Sequence, residues 1–214
     1  MDQYTSFESL KVRERQGIDY RIRLRKGSST VAILSIHGGE IEPGTTCLAD
    51  AIAGGEHSFY SFEGIKSAGN LALHITSARF DEPTAIEMVC RSDIIISIHG
   101  SAVAEPVVHL GGLDVELRDR IQQALRNSGF QAMDCQERPF RATNHKNICN
   151  LCGRGMGVQM EISRGLRAML FRDLSPEGRR SQTAMFSQFT EVVRSAIEPF
   201  AAIHSETELL QNTD

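Results

Sequence analysis

The chain has 214 residues, 41% hydrophobic and 23% charged, with a net charge of -4 and a pI near 6.0. That length suits one domain with a sizeable core, and the acidic balance argues against a general nucleic-acid binder, which is usually basic. The N-terminus "MDQYTSFESLKVRERQ" lacks the apolar region of a signal peptide, and five cysteines without a secretory signal fit reduced thiols, so a cytoplasmic protein without a membrane partner is expected.

In chain order, "YRIRLRK" alternates strictly, placing Arg21, Arg23 and Arg25 on one face of a strand and Tyr20, Ile22 and Leu24 on the other. "VAILSIH" (31–37) is a nearly continuous apolar run, as in a central strand covered on both faces. Pro43 can open a helix that "TTCLADAIA" continues to a stop at Gly54 and Gly55. "SFYSFEG" and "LALHIT" read as short strands, and "DEPTAIEMVCRS" as a helix whose opening acids and proline act as caps. "DIIISIHG" (93–100) is a second buried strand and "VVHLGG" a further one. "LDVELRDRIQQALRNSG" (113–129) is an amphipathic helix closed by Gly129. "GVQMEIS" (157–163) is the last strand, and residues 178–203 form a long final helix. This alternation predicts a single α/β domain over 1–204, a mixed and largely parallel sheet between helices, with 205–214 as a flexible tail.

Three of the apolar strands end on polar residues: His37, His99 and Glu161. In open α/β sheets ligands bind outside the carboxyl ends of the strands, so these side chains are expected to converge. Two imidazoles with a nearby carboxylate form a good ligand set for one zinc ion, with a fourth position left for water. The glycines after His37 leave room for metal and substrate and let the loop bring a glutamate back. A lone histidine at a strand end is more often a structural hydrogen-bonding residue; the repetition of "SIHG" in two strands favours the ligand reading. The residues by themselves indicate a metal hydrolase of unspecified substrate.

The series "HGGEIEPGT", "LHITSARFDEP", "SIHG", "GGLDVELRDRI", "NICN" and "GVQMEIS" resembles the poly-γ-glutamate hydrolase family, over about Tyr20 to Arg167. Its members are encoded by bacteriophages and related bacterial genomes, and some bacterial ones carry the label "phage-related replication protein". The resemblance implies a zinc-carboxypeptidase-like fold with zinc held by His37, Glu42 and His99, and Glu161 at the place of the general base. A carboxypeptidase-style H-x-x-E pattern would instead select Glu40 as the middle ligand; the family's pattern aligns on "IE" and favours Glu42. In that chemistry Glu161 takes a proton from water and returns it to the leaving amine.

Substrate carboxylates call for arginines, whose guanidinium fork matches them. Arg79, Arg118, Arg141, Arg154, Arg164 and Arg167 lie in or beside the motifs, and Arg118 could equally pair with helix acids. Related sequences often read Asn-Ile-x-Asn-Arg where this chain has Asn147 and Asn150 followed by Leu151; the resemblance places substrate contacts at Asn147 and Asn150, with Arg154 or Arg164 supplying the charge. The expected substrate is a γ-glutamyl polymer or peptide, reached by release on lysis if the protein is phage-derived. Leu151 leaves open a deacylase or peptidase acting on a small acylated amino acid, and the family's label leaves open a non-enzymatic replication-associated role. Cys149 and Cys152 form a C-x-x-C read as buried thiols, since no second pair completes a structural zinc site. The N-terminal arginines read as the wet face of an edge strand, or as an attractor for a polyanion. His74 and His109 read as structural; His57, His145 and His204 read as facing solvent.

Overall fold

The computed structural model describes residues 2–135 and 140–211, with side chains as far as Phe200. The apolar runs form strands β2 (Val31–Gly39), β3 (Ser58–Gly64), β4 (Ile94–Ser101) and β7 (Val158–Ser163), with β1 (Tyr20–Arg25), β5 (Val108–Gly112) and β6 (Ala132–Asp134) towards the edges. They make one seven-stranded sheet in the order β1-β3-β2-β4-β7-β5-β6. The pairs β2–β3, β2–β4, β4–β7 and β5–β6 are parallel, while β1–β3 and β5–β7 are antiparallel. The mixed sheet is the one expected.

Burial explains why the central runs are apolar throughout. Val31, Ile33, Ile94, Ile96, Ile98, Val158, Met160 and Ile162 face one core, built with α2 (Thr45–Ala53), α4 (Val115–Asn127), α5 (Arg164–Leu170) and α6 (Ala184–Gln211). The alternate positions Ala32, Leu34, Ile36 and Ile95 face a second core, which includes α1 (Phe7–Lys11), α3 (Pro83–Cys90) and the segments around Leu73 and Ile148. Strands covered on both faces have no polar side to alternate with. Helix starts follow their caps: Glu82 accepts from the amides of Thr84 and Ala85 with Pro83 in the first turn, and Asp114 accepts from Leu117.

Three expectations change. "LALHIT" is not a strand but a 3-10 turn (Asn70–Leu73) and an extended segment, because the Ile75 carbonyl is used by His37 and not by a strand ladder. The final helix starts at Ala184, after a 3-10 turn at Gly178–Arg180 in which Gly178 packs against Asp173, and it runs to Gln211. Most of the segment expected as tail is therefore helical, consistent with its lack of glycine and proline after Pro199; residues 212–214 lie outside the described residues. Among the described residues, no helix is long and apolar enough to cross a membrane.

Candidate metal centre

Strict alternation along β2 would aim His37 at the α2 face with Val31 and Ile33. The structure avoids this with a β-bulge. Ser35 pairs with Ser61 but Gly38 pairs with Glu63, so β2 spends one more residue than β3 between those points. Bulges re-aim side chains, and this one turns His37 onto the other face. There His99 of β4 and Glu161 of β7 are register partners, neighbours on adjacent parallel strands. Gly38 then takes the α2 side, where a Cβ would lie 2.3 Å from Thr46 Oγ1 and 2.4 Å from Ser61 Oγ. Glu42 returns from the loop, anchored by its own N–H to the His37 carbonyl at 2.9 Å.

The donors of His37, Glu42 and His99 all lie within 4.8 Å of one another. His37 Nδ1 is 3.1 Å from Glu42 Oε1 and 3.1 Å from His99 Nδ1, and His99 Nδ1 is 3.8 Å from Glu42 Oε2. Tetrahedral zinc with ligands at about 2.0–2.1 Å separates its donors by about 3.3 Å, so the spacing fits. The hydrogen bonding behind the rings agrees. The Ile75 carbonyl can only accept, so His37 Nε2 carries hydrogen at 2.9 Å from it; His99 Nε2 has Ser97 Oγ at 2.8 Å. Both rings thus turn Nδ1 towards one point, with their far nitrogens held as they are in metal-ligating histidines. His37 Nδ1 thus presents its lone pair to His99 Nδ1 at 3.1 Å, a separation that a shared metal ion or an N–H···N hydrogen bond can occupy.

The electrostatics of the cluster follow from its burial and close packing. Burial alone would lower the His37 pKa, but the adjacent Glu42 carboxylate reverses this and raises it. Burial would raise Glu42, yet His37, then His99 and the Gly100 N–H (2.7 Å) hold it at about 2. Burial and the charge of His37 push His99 down to about 3. For Glu161, burial and then the Glu42 charge push the pKa up to about 8, against the opposing Gln159 hydrogen bond. A buried carboxylate near neutrality is suited to proton transfer. Gln159 Nε2 donates to Glu161 Oε1 at 2.7 Å, and Asn147 Nδ2 donates to Gln159 Oε1 at 2.9 Å, so a two-step relay orients the acid.

The remaining candidates separate clearly. Glu40 is turned away and paired with Arg179. Asn150 is spent on structure: its Oδ1 accepts from Leu113 and Gly157, and its Nδ2 donates to the carbonyls of Ala142 and Asn144. Leu151 packs against the α3-side core, and Arg154 is committed to buried Asp114 at 2.8 Å. Arg118 pairs with Asp119 (2.8 Å) and Asp134 (3.4 Å); Arg79, Arg141 and Arg164 are exposed. Arg21 and Arg23 share the carboxylate of Glu63, and Arg25 pairs with Asp50, so the edge-strand face is ion-paired. His145 is exposed as expected. His57 is not: it is 1% exposed beside Ser29 Oγ at 2.7 Å, because the turn after α2 folds its ring inward. The His204 side chain lies outside the described residues. Cys149 and Cys152 are buried thiols, and burial pushes Cys149 up.

Three further residues support the centre. His74 stacks on His37 at 3.9 Å between ring centroids, with Asp2 on its Nδ1 at 2.8 Å. Gln159 could have been found from period two, since it shares a face with Glu161. Arg167, named only among general candidates, is 4% exposed and donates to the carbonyls of Ile162, Pro43 and Ser101, tying the ligand loop to the ends of β4 and β7.

An α/β sandwich whose central strand ends gather two imidazoles and two carboxylates has the architecture of a hydrolase with a candidate metal site. The chain belongs to the poly-gamma-glutamate hydrolase family, whose model matches residues 4–192. It is 39% identical to the UPF0714 protein YndL of Bacillus subtilis (strain 168) over 194 residues, spanning 90% of this chain and 76% of that one. It is 36% identical to the SPbeta prophage-derived UPF0714 protein YoqZ of the same strain, over 92% of this chain and 72% of that one. The structure matches that of a bacteriophage poly-gamma-glutamate hydrolase with a TM-score of 0.90 and 34% identity, over 95% of this chain and 100% of the other. It matches zinc-free YndL with a TM-score of 0.88 and 38% identity, over 92% and 98%.

Proposed function

We propose that the protein is a zinc-dependent amidohydrolase that cleaves γ-glutamyl bonds. The observation that carries this is the convergence of His37, Glu42 and His99 beside a separately held Glu161. His37, Glu42 and His99 would hold the ion; when bound, it supplies the positive charge that acidifies a water and polarises the amide carbonyl. Glu161 is the proton carrier: its Oε1 is fixed by Gln159, which leaves Oε2 to take a proton from the attacking water and deliver it to the departing nitrogen. Arg167 braces the edge that carries these groups, and its charge bears on both Glu42 and Glu161. Family membership and the match to the phage enzyme support the γ-glutamyl substrate.

A groove of about 900 Å³ beside the ligand loop supports a polyanionic substrate. Arg21, Arg23, Lys66, Arg179 and Arg180 line it together with Glu40 and Glu63. Guanidinium groups held in place by acid partners retain further N–H donors for substrate carboxylates. Zinc-loaded protein should hydrolyse γ-linked glutamate oligomers and leave α-linked ones intact; equal rates on both would refute the linkage, and no hydrolysis of either would refute the reaction.

A further inference from the structure

Four buried hydroxyls meet where β2 gives way to the ligand loop. Ser35 and Ser61 are register partners on β2 and β3 and are 0% exposed, as is Thr45, while Thr46 is 7% exposed. A buried hydroxyl costs free energy unless it is hydrogen-bonded, so four of them beside an apolar core need a cause. Starting α2 is not that cause. The residue before the helix is Gly44, with φ at 99°, and no side chain caps the helix amides. Both threonines instead turn their oxygens back onto the loop. Thr45 Oγ1 donates its one hydrogen to the Glu42 carbonyl at 2.9 Å, with the His37 carbonyl 3.3 Å away, and accepts from Ser35 Oγ at 2.9 Å. Thr46 Oγ1 accepts from the Gly39 N–H at 3.0 Å and is bonded to Ser61 Oγ at 2.9 Å. The stretch that carries His37 and Glu42 thus lies between two hydroxyls, Ser35 and Thr45, that clasp each other across ten positions of the chain.

We propose that Thr45 is a positioning residue of the metal centre: its hydroxyl, oriented by Ser35, fixes the Glu42 backbone so that the carboxylate stands between His37 and His99. The assignment rests on the reading of those three residues as the metal ligands. Hydroxyl side chains often bond nearby backbone carbonyls. What sets Thr45 apart is that the carbonyl belongs to a ligand and that the hydroxyl is itself held from the sheet. His37 and His99 stand on strands, whereas Glu42 comes from a loop and has no ladder to aim it. Its N–H is bonded to the His37 carbonyl at 2.9 Å, and its carbonyl receives the Thr45 hydroxyl at 2.9 Å and, more weakly, the Thr45 N–H at 3.3 Å. Of the bonds that fix this backbone, the one from Thr45 Oγ1 is made by a side chain, so it can be removed without changing the chain's path.

Valine keeps the shape of threonine without the hydroxyl, and serine keeps the hydroxyl without the methyl. In a chelator competition, Thr45→Val should raise the zinc Kd by about tenfold or more, as loss of an outer partner of a metal ligand does, and Thr45→Ser should stay within about threefold of wild type. Thr45→Val also leaves the Ser35 hydroxyl buried and unpaired, which lowers stability by itself. Combining Ser35→Ala with Thr45→Val removes both partners, so the urea midpoint should recover towards wild type while the zinc Kd stays high. Affinity that returns together with stability, or a Thr45→Ser protein as weak as Thr45→Val, would overturn the proposal in favour of packing alone. Wild-type affinity in Thr45→Val would overturn it as well. A readout on the metal-free protein separates positioning from the ligand reading. The Gly100 N–H donates to Glu42 Oε2 at 2.7 Å, so its proton signal in NMR reports where that carboxylate lies. Thr45→Val should move this signal upfield and Thr45→Ser should leave it in place. That result in a protein that binds no zinc would support the positioning of Glu42 while refuting the ligand reading. A Gly100 signal unmoved in Thr45→Val would overturn the positioning even where zinc binds.

Discussion

Glu40 and Glu42 stand two positions apart in one loop, yet the fold gives them opposite partners. Glu42 is directed inward by the bond from its N–H to the His37 carbonyl and meets two imidazoles, whereas Glu40 meets Arg179. Glu42→Ala should therefore weaken zinc affinity by orders of magnitude in a chelator competition, while Glu40→Ala stays near wild type. The opposite ranking would make Glu40 the ligand. Glu161 supports a second prediction with two readouts. Gln keeps its shape and hydrogen bonds but cannot take a proton at neutral pH, so Glu161→Gln should retain zinc and fold while losing roughly two or more orders of magnitude in amide hydrolysis. The pH dependence of the metal-free protein gives an independent measure. The Glu161 carboxyl ionises at about 8 in the folded chain against an ordinary value of 4.5, so between these limits the folded state binds the extra proton. This contribution makes stability fall as pH rises from about 4.5 to 8, and Glu161→Gln should remove that component of the slope in denaturant titrations. An unchanged slope would show that Glu161 is not the buried acid the geometry describes.

At the scale of elements, the candidate ligand His37 is held by a strap as well as by its strand. The segment His74–Ile75–Thr76 lies against His37: one ring stacks on it and the next carbonyl fixes its Nε2. Asp2 pins the strap by accepting from the Thr76 N–H and, at 2.8 Å, engaging His74 Nδ1. Asp2→Ala should lower zinc affinity by about tenfold, the lower end of the effect of outer partners of metal ligands, with the urea midpoint of the metal-free protein nearly unchanged. Undiminished affinity would reduce the strap to packing. Much of this centre could be read from the chain because continuous apolar runs identify β2, β4 and β7, and His37, His99 and Glu161 stand at their ends. The bulge could not be read: alternation puts His37 on the wrong face, and the extra residue appears only in the pairing of β2 with β3. The strap reads as a strand in the sequence because its role belongs to a backbone carbonyl, which has no residue signature. β6 and α5 span too few residues to display a period. Asn147, which the resemblance places at substrate, supports Glu161 through Gln159, a connection between residues separated by a turn.

For the whole molecule, a metal ion held by the candidate donor cluster would couple binding to stability. His37 and His99 come from different strands of one sheet and Glu42 from the loop between β2 and α2, so the three meet only in the folded chain. A ligand that binds the native state alone stabilises it by RT ln(1 + [L]/Kd), about 2.7 kcal/mol at a hundredfold excess over Kd. For a chain of 214 residues, with about 2–4 °C gained per kcal/mol, zinc at that excess should raise Tm by about 5–10 °C. The gain should depend on pH with a definite sign. In the metal-free site Glu42 raises the pKa of His37, so the proton that occupies its Nδ1 competes with zinc more strongly than on an ordinary histidine. As pH falls from 7.5 towards 5.5 the proton gains the site, and the zinc-induced rise in Tm should shrink. His37→Ala and His99→Ala should abolish the rise at every pH, each removing one donor, while Glu161→Gln should keep it because Glu161 lies outside the donor set. Scanning calorimetry of the four proteins with and without zinc at the two pH values makes the comparison. A zinc shift that survives in both histidine variants would remove the metal assignment, and one that disappears in Glu161→Gln would make that carboxylate a ligand.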